Sequence, residues 1–255
     1  MRKGEWGMSR KWFRGIFVLV AMASFGLSGC QSMKAKPSGG AGFVPMDEMS
    51  KREDLPFNKV WAKEGVDWSE YKAMYIKDVN TKYLLEASWW KNSMRRDDME
   101  KDTRSVAEYM QNKFREAFRN DPRKRFDVVD SPQPGSLTLE LALTELVPSS
   151  PVLEAMSIAA PYGSGVAVQI AAKETGAKAT VAFEARICDT NTGTVLAMAA
   201  DREQGKVAPI NLRALTWYGE GHVIIEEWAG QFVHIANRRP GEIIKAASPF
   251  TLKPW

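Results

Sequence analysis

The chain has 255 residues, 44% of them hydrophobic and 26% charged, with 35 basic and 31 acidic side chains. The charge is uneven: residues 1–29 hold Arg2, Lys3, Arg10, Lys11 and Arg14 against Glu5, leaving 30 of each sign in the remainder. A chain that is neutral beyond its leader lacks the basic footprint that phosphate backbones require, which excludes a nucleic-acid partner.

Those basic residues precede an apolar run, Ile16 to Leu27. The run is shorter than the roughly 20 residues a spanning helix needs, and with its basic flank it reads as a secretory signal peptide. Met8 offers an alternative start, because "MSRKWFRG" is a more ordinary basic region than the longer leader. The run closes on "LSGC", Leu27 to Cys30. An aliphatic residue, two small residues and a cysteine resemble the bacterial lipobox. That resemblance implies cleavage before Cys30, a diacylglyceryl thioether on its sulfur and acylation of its new amino group. Two or three acyl chains on one residue make an effectively permanent anchor, whereas a single chain binds only marginally. Gln31 stands where an aspartate would favour retention in the inner membrane, so the expected placement is the outer membrane, with the domain facing the periplasm.

The expected organisation is a signal peptide at 1–29, a lipidated N-terminus and flexible tether at 30–60, a domain at 61–240 and a tail at 241–255. "QSMKAKPSGGAGFVPMDEMSKRED", Gln31 to Asp54, holds few core-forming residues and reads as flexible coil. "YKAMYIKDV", Tyr71 to Val79, is short, aromatic and β-branched, as a strand should be. From about Asp97 to Asn120, Met99, Thr103, Val106, Met110, Phe114 and Ala117 recur every three or four residues on one helical face. Asp97 and Asp98 suit the positive end of that helix, and Pro122 stops it. "RFDVVD" then reads as a strand ending in the turn "SPQPGS".

Two clearer strands follow. Leu137, Leu139, Leu141 and Leu143 alternate with Thr138, Glu140, Ala142 and Thr144, and Ala179, Val181, Phe183, Ala185 and Ile187 alternate with a more polar set. "DTNTG", Asp189 to Gly193, is a turn by its side-chain chemistry, and "TVLAMAADRE" returns as the antiparallel partner. A final helix, about 213–238, would bury Tyr218, Ile225, Trp228, Phe232 and Ile235. This order predicts a single periplasmic α+β domain, a mostly antiparallel sheet with two main helices on one face.

"SLTLELALTELVPSSP", "TGAKATVAFEARICDTNTGTVLAMAADREQGK" and the tryptophan-bearing "WYGEGHVIIEEWA" resemble the bacterial lipoprotein family known as domain of unknown function 3313. The likeness covers roughly 69–238 and is most specific at Glu184, Asp189, Thr192, Gly193 and Asp201. It implies an exported lipoprotein without an established activity. The element order is also similar to that of small periplasmic α/β domains in envelope assembly machines, a likeness of fold that carries little functional weight.

Chemistry is sparse. His222 and His234 stand twelve residues apart on one predicted helix, about 18 Å by helical rise, so they cannot share a metal there. "YGSGVAV" lacks the glycine of a nucleophile elbow and the third glycine of a dinucleotide fingerprint. No pattern calls for a cofactor or a metal. Glu184, Asp189 and Asp201 lie near one hairpin, but turn formation and pairing with Arg186 or Arg202 explain them more simply than acid–base work. Glu226 and Glu227 read as the solvated face of the last helix, Trp217 and Trp228 as packing, and Cys188 as a small half-buried hydrophobe. "AMSIAAPYGSGVAVQIAA", Ala155 to Ala172, carries no charge. It is either a connection packed on the domain's own core or an interaction surface centred on Ile158, Tyr162, Val166 and Val168.

The expectation is a non-enzymatic binding or assembly module, held to the membrane by its N-terminal lipid and partnered by an envelope protein or a second copy. An envelope hydrolase using Glu184 and Asp201 is the first alternative. A small-ligand or lipid carrier is the second, and it requires a large apolar cavity between sheet and helices.

Overall fold

A computed structural model describes residues 35–84, 96–149, 179–207, 212 and 218–252. The chain divides after Lys34, and all of these residues belong to the second unit, Ala35–Trp255. Cys30 and the 155–172 segment lie outside the described residues.

Six strands form one sheet: β1 (Lys59–Ala62), β2 (Ala73–Ile76), β3 (Asp127–Val129), β4 (Ser136–Val147), β5 (Thr180–Asp189) and β6 (Val195–Gln204). Their spatial order is β1-β6-β5-β4-β2-β3. The ladders β1–β6, β6–β5 and β5–β4 are antiparallel, whereas β2 pairs in parallel with both β3 and β4. The sheet is therefore mixed, which corrects the mostly antiparallel expectation at one edge. The cause lies in the connection from β2 to β3. A helix intervenes, and a crossover of that kind returns the next strand in the same direction.

That helix, α1 (Arg96–Arg119), ends where Asp121 turns the chain. The buried Asp121 carboxylate accepts the backbone N–H groups of Arg123 and Arg125, at 3.0 Å each, and the side-chain amide of Asn237 at 2.9 Å. Asn237 follows the second helix, α2 (Gly219–Ala236), so one carboxylate joins both helix ends. Among the described residues, no helix is long and apolar enough to cross a membrane.

Both helices pack on one face of the sheet. Val106, Met110, Phe114 and Phe118 of α1 and Ile225, Trp228 and Phe232 of α2 meet Leu137, Leu139, Leu141 and Leu143 of β4 and Val181, Phe183 and Ala185 of β5. Phe183 is the hub, with ring centroids 4.6 Å from Trp228, 5.5 Å from Phe57 and 5.8 Å from Phe232. The leucine alternation holds until a bulge between Leu143 and Glu145, beyond which Leu146 takes the core side.

The opposite face is covered too, which the alternation in β5 does not predict. Thr180, Ala182 and Glu184, which read as a polar side, are all buried. Phe43, Val44 and Met49 lie against Ala142, Met198 and Ala200 there. The segment expected to be a flexible tether is thus folded from about Gly40 onward. Ser50 and Val60 exchange both backbone hydrogen bonds, at 2.9 and 3.1 Å, and lead the chain into β1.

Candidate functional site

The carboxylates singled out in sequence lie apart, each with its own set of hydrogen-bond partners. Phe183 and Asp201 are register partners, as are Glu184 and Ala200. Successive side chains on a strand point to opposite faces, so Asp201 faces the helices and Glu184 faces away from them. Asp201 is 4% exposed and accepts the indole N–H of Trp228 at 2.9 Å and the backbone N–H of Asn58 at 3.1 Å. Burial pushes its pKa up to about 6, against the opposing pull of those donors.

Glu184, 1% exposed, accepts three backbone N–H groups from the N-terminal strap: Ala41 on Oε1, and Phe43 and Val44 on Oε2 at 2.8 Å each. Gly40 and Gly42 flank Ala41 with φ of 94° and 90°, a conformation that other residues rarely adopt. These glycines curl the chain so that its N–H groups converge on one carboxylate. The hydrolase pairing of Glu184 with Asp201 therefore has no geometry, because the sheet separates the two groups.

The expected partners shift as well. Arg186 pairs with Glu140, and Arg202 pairs with Glu145 through two hydrogen bonds of 2.7 and 2.8 Å. Asp189 closes its turn by accepting the Thr192 N–H at 2.8 Å and the Tyr71 hydroxyl at 2.8 Å. Cys188 is free and buried, and burial raises its thiol pKa. His222 stacks on Tyr109 with centroids 4.0 Å apart, its pKa lowered chiefly by burial, while His234 is exposed. Glu226 is exposed but bonds Tyr109 and Lys113, and Glu227 pairs with Lys206. Trp228 is buried and Trp217 lies outside the described residues. No group of three His, Cys, Asp or Glu that could hold a metal occurs among the described residues.

The feature that sequence reasoning does not locate is a cavity of about 810 Å³ between the sheet, β1 and the C-terminal ends of both helices. Its interior is apolar, with Met74, Leu137, Ala185 and Ile187 from the sheet, Phe118 from α1, and Phe232 and Ile235 from α2. The preceding loop and β1 add Leu55, Phe57 and Val60. Its volume falls within the roughly 300–1,000 Å³ of small-molecule sites, which combine apolar walls with a few placed polar groups.

Here the polar groups are mainly guanidinium. Arg52, Arg125, Arg186, Arg238 and Arg239 line the cavity, Arg186 being the one paired with Glu140, and Asp54 is the acidic member of the lining. The Asp54 carboxylate accepts from Arg52, at 2.9 Å on Oδ1, and also from Arg238. These bonds, that of Arg52 foremost, hold it well below the usual carboxylate range. Arg125 donates to the backbone carbonyls of Tyr71 and Trp68 and lies over the Phe126 ring, 4.2 Å from its centroid. Arg239 is exposed, and its guanidinium has no acidic side-chain partner among the described residues.

Comparison with known proteins adds a family. The one described as Protein of unknown function (DUF3313) matches residues 42–232, and the chain belongs to it. No curated protein matches. Two solved structures of the PelC dodecamer from Paraburkholderia phytofirmans are distantly similar. One, a single-residue variant, is 12% identical at a TM-score of 0.34, covering 68% of this chain and 94% of that one. The other is 10% identical at 0.36, covering 68% and 95%.

Proposed function

We propose that this member of the family is a lipid-anchored cell-envelope protein whose domain binds a small apolar ligand in the cavity between sheet and helices. The observation that carries the binding role is the cavity itself. A space of about 810 Å³ lined by apolar side chains meets the condition set for the carrier alternative. The anchor rests on "LSGC" behind a basic and an apolar region, which supports lipid on Cys30, residence in the outer membrane and a periplasmic domain. Glu184 and Asp201, on opposite faces, offer no support for a hydrolase using that pair.

The binding role is tested with an apolar dye whose fluorescence rises in a dry environment. The protein should bind it saturably at one site, and Ala236→Trp, placed at the end of α2 where Ala236 lines the cavity, should abolish binding without lowering the melting temperature. Equal binding by a folded Ala236→Trp variant would overturn the reading. For the anchor, Cys30→Ala should block acyl labelling and processing, and a free thiol at Cys30 in the wild-type protein would refute it. The uncharged 155–172 segment supports a second proposal, contact with an envelope protein or another copy through Ile158, Tyr162, Val166 and Val168. Ile158→Asp or Val168→Asp should then weaken association while the domain stays folded.

A further inference from the structure

The geometry points to a head-group site at the cavity rim: we infer that Arg52, Arg238 and Arg239 receive the oxyanion of a single-chain anionic amphiphile, carboxylate or phosphate, whose chain fills the apolar interior. This rests on the cavity reading above and assigns its ligand class.

Charge complementarity carries the inference. Among the lining residues, the Arg52 and Arg238 guanidinium groups share one carboxylate, and Arg239 stands exposed beside them. Arg125 supplies a further positive charge, held by carbonyl oxygens rather than by an acid. The mouth is thus cationic and the interior apolar, the inverse of an amphiphile with an anionic head. Guanidinium groups bind carboxylate and phosphate through paired, charge-assisted hydrogen bonds.

Asp54 occupies the place of that head group. Its carboxylate lies between the two arginines as the ligand's would, and the exchange needs no unfolding. The Arg52 side chain is 47% exposed and that of Asp54 is 29% exposed. The Arg52–Asp54 pair, open to water, contributes little net stability and is where an incoming anion first competes, while Arg238, 19% exposed, is the more enclosed of the two partners. The loops around the mouth stay tied meanwhile, because the backbone carbonyl of Asp54 accepts the Ile244 N–H at 3.1 Å and that of Glu242 accepts Arg238 Nε at 2.6 Å. A chain entering past these groups meets Leu55, Phe57, Phe232 and Ile235.

The test is displacement of the bound apolar dye from the full chain in nanodiscs of zwitterionic lipid, with empty nanodiscs subtracted. Three competitors of equal chain length are compared: palmitate, 1-palmitoyl lysophosphatidate and hexadecanol. At least one of the two anions should displace dye tenfold or more better than the alcohol, and the better of them identifies the head group. Arg238→Gln combined with Arg52→Gln should remove that preference and leave hexadecanol unchanged. Asp54→Asn should strengthen the preferred anion several-fold by removing its internal competitor. If hexadecanol competes as well as both anions in the wild type, or if the double arginine variant keeps the preference, the head-group site is refuted and the cavity reading stands. If the dye itself does not bind, both fall.

Discussion

The two faces of the sheet are built on different principles. The helix side is an aromatic and aliphatic core, where Phe183, Trp228, Phe232 and Phe57 interlock. Burial of this kind is non-directional, and it is redundant because each ring has several neighbours. The other side is covered by a short strap whose apolar contribution is modest: Phe43, Val44 and Met49 against small residues such as Ala142 and Ala200. Its position depends on direction. Three N–H groups converge on the Glu184 carboxylate, and the Phe43 ring is framed by Arg186 at 4.6 Å and Tyr83 at 5.2 Å. A face held by packing loses stability globally when cut, whereas a face held by one polar anchor opens locally.

The largest effect is expected at the hub. Phe183→Ala should cost about 3–5 kcal/mol, the range for deleting a buried aromatic ring, read from chemical denaturation. The loss should appear as one cooperative transition for the whole domain. A cost below about 1 kcal/mol would show that the helix side tolerates loss of its centre and would erase the contrast between the faces.

Next in size is the titration of Asp201, the polar group within the packed face. Its native pKa is pushed up to about 6, while the unfolded carboxyl releases its proton near 3.9. Between these values the native state holds more protons than the unfolded state, so this group lowers stability as pH rises from about 4 to 6. The change should be on the order of 2–3 kcal/mol across that window. Melting temperature followed against pH should show this descent in the wild type and lose it in Asp201→Asn. Parallel profiles would refute the assignment.

The strap should respond differently. Glu184→Ala leaves the buried N–H groups of Phe43 and Val44 and the half-buried one of Ala41 without their acceptor, and local opening of the strap to water holds the cost to about 1–3 kcal/mol. Unlike Phe183→Ala, it should raise hydrogen exchange at Ala41, Phe43 and Val44 and expose the 40–49 segment to protease while α1 and α2 stay protected. Unchanged exchange at those three amides would remove the anchor from the account. Smallest is the hairpin that joins the strands supporting both faces. Gly193 has φ of 69° and donates to the Asp189 carbonyl at 2.9 Å, so Gly193→Val should cost about 1–2 kcal/mol in melting experiments.

The strap explains why sequence composition misleads from about Gly40 to Asp54. Ser, Gly, Pro and Lys are the residues of flexible linkers, but the same glycines are required where the backbone must take positive φ. Composition does not separate freedom from a specific bend. Gly40 makes the distinction visible, since a Cβ there would lie 2.6 Å from the Met46 side chain. The 30–60 boundary rests on that composition, and β1 at its end escapes notice because four residues, Lys59–Ala62, are too few to show a period. By contrast, β4, β5, α1, the core of α2 and the Asp189–Gly193 turn are legible, each carrying its own repeat or turn chemistry over enough residues.

What the sequence by itself determined is which side of each long element is apolar and where the chain must turn, because spacing along a strand or helix fixes which side chains share a face. Tertiary structure alone decided the rest. Glu184 finds Phe43 across 141 positions, and Asp201 meets Trp228 of α2 only because β6 lies beneath that helix. Likewise β2 pairs in parallel with β3 and β4 only because α1 carries the chain back across the sheet. The cavity and its arginines come from five strands of the sheet, both helix ends and the loops beside them, so no local pattern contains them. Periodicity records the order of neighbours along the chain, whereas a binding site is made by parts of it that the fold brings together.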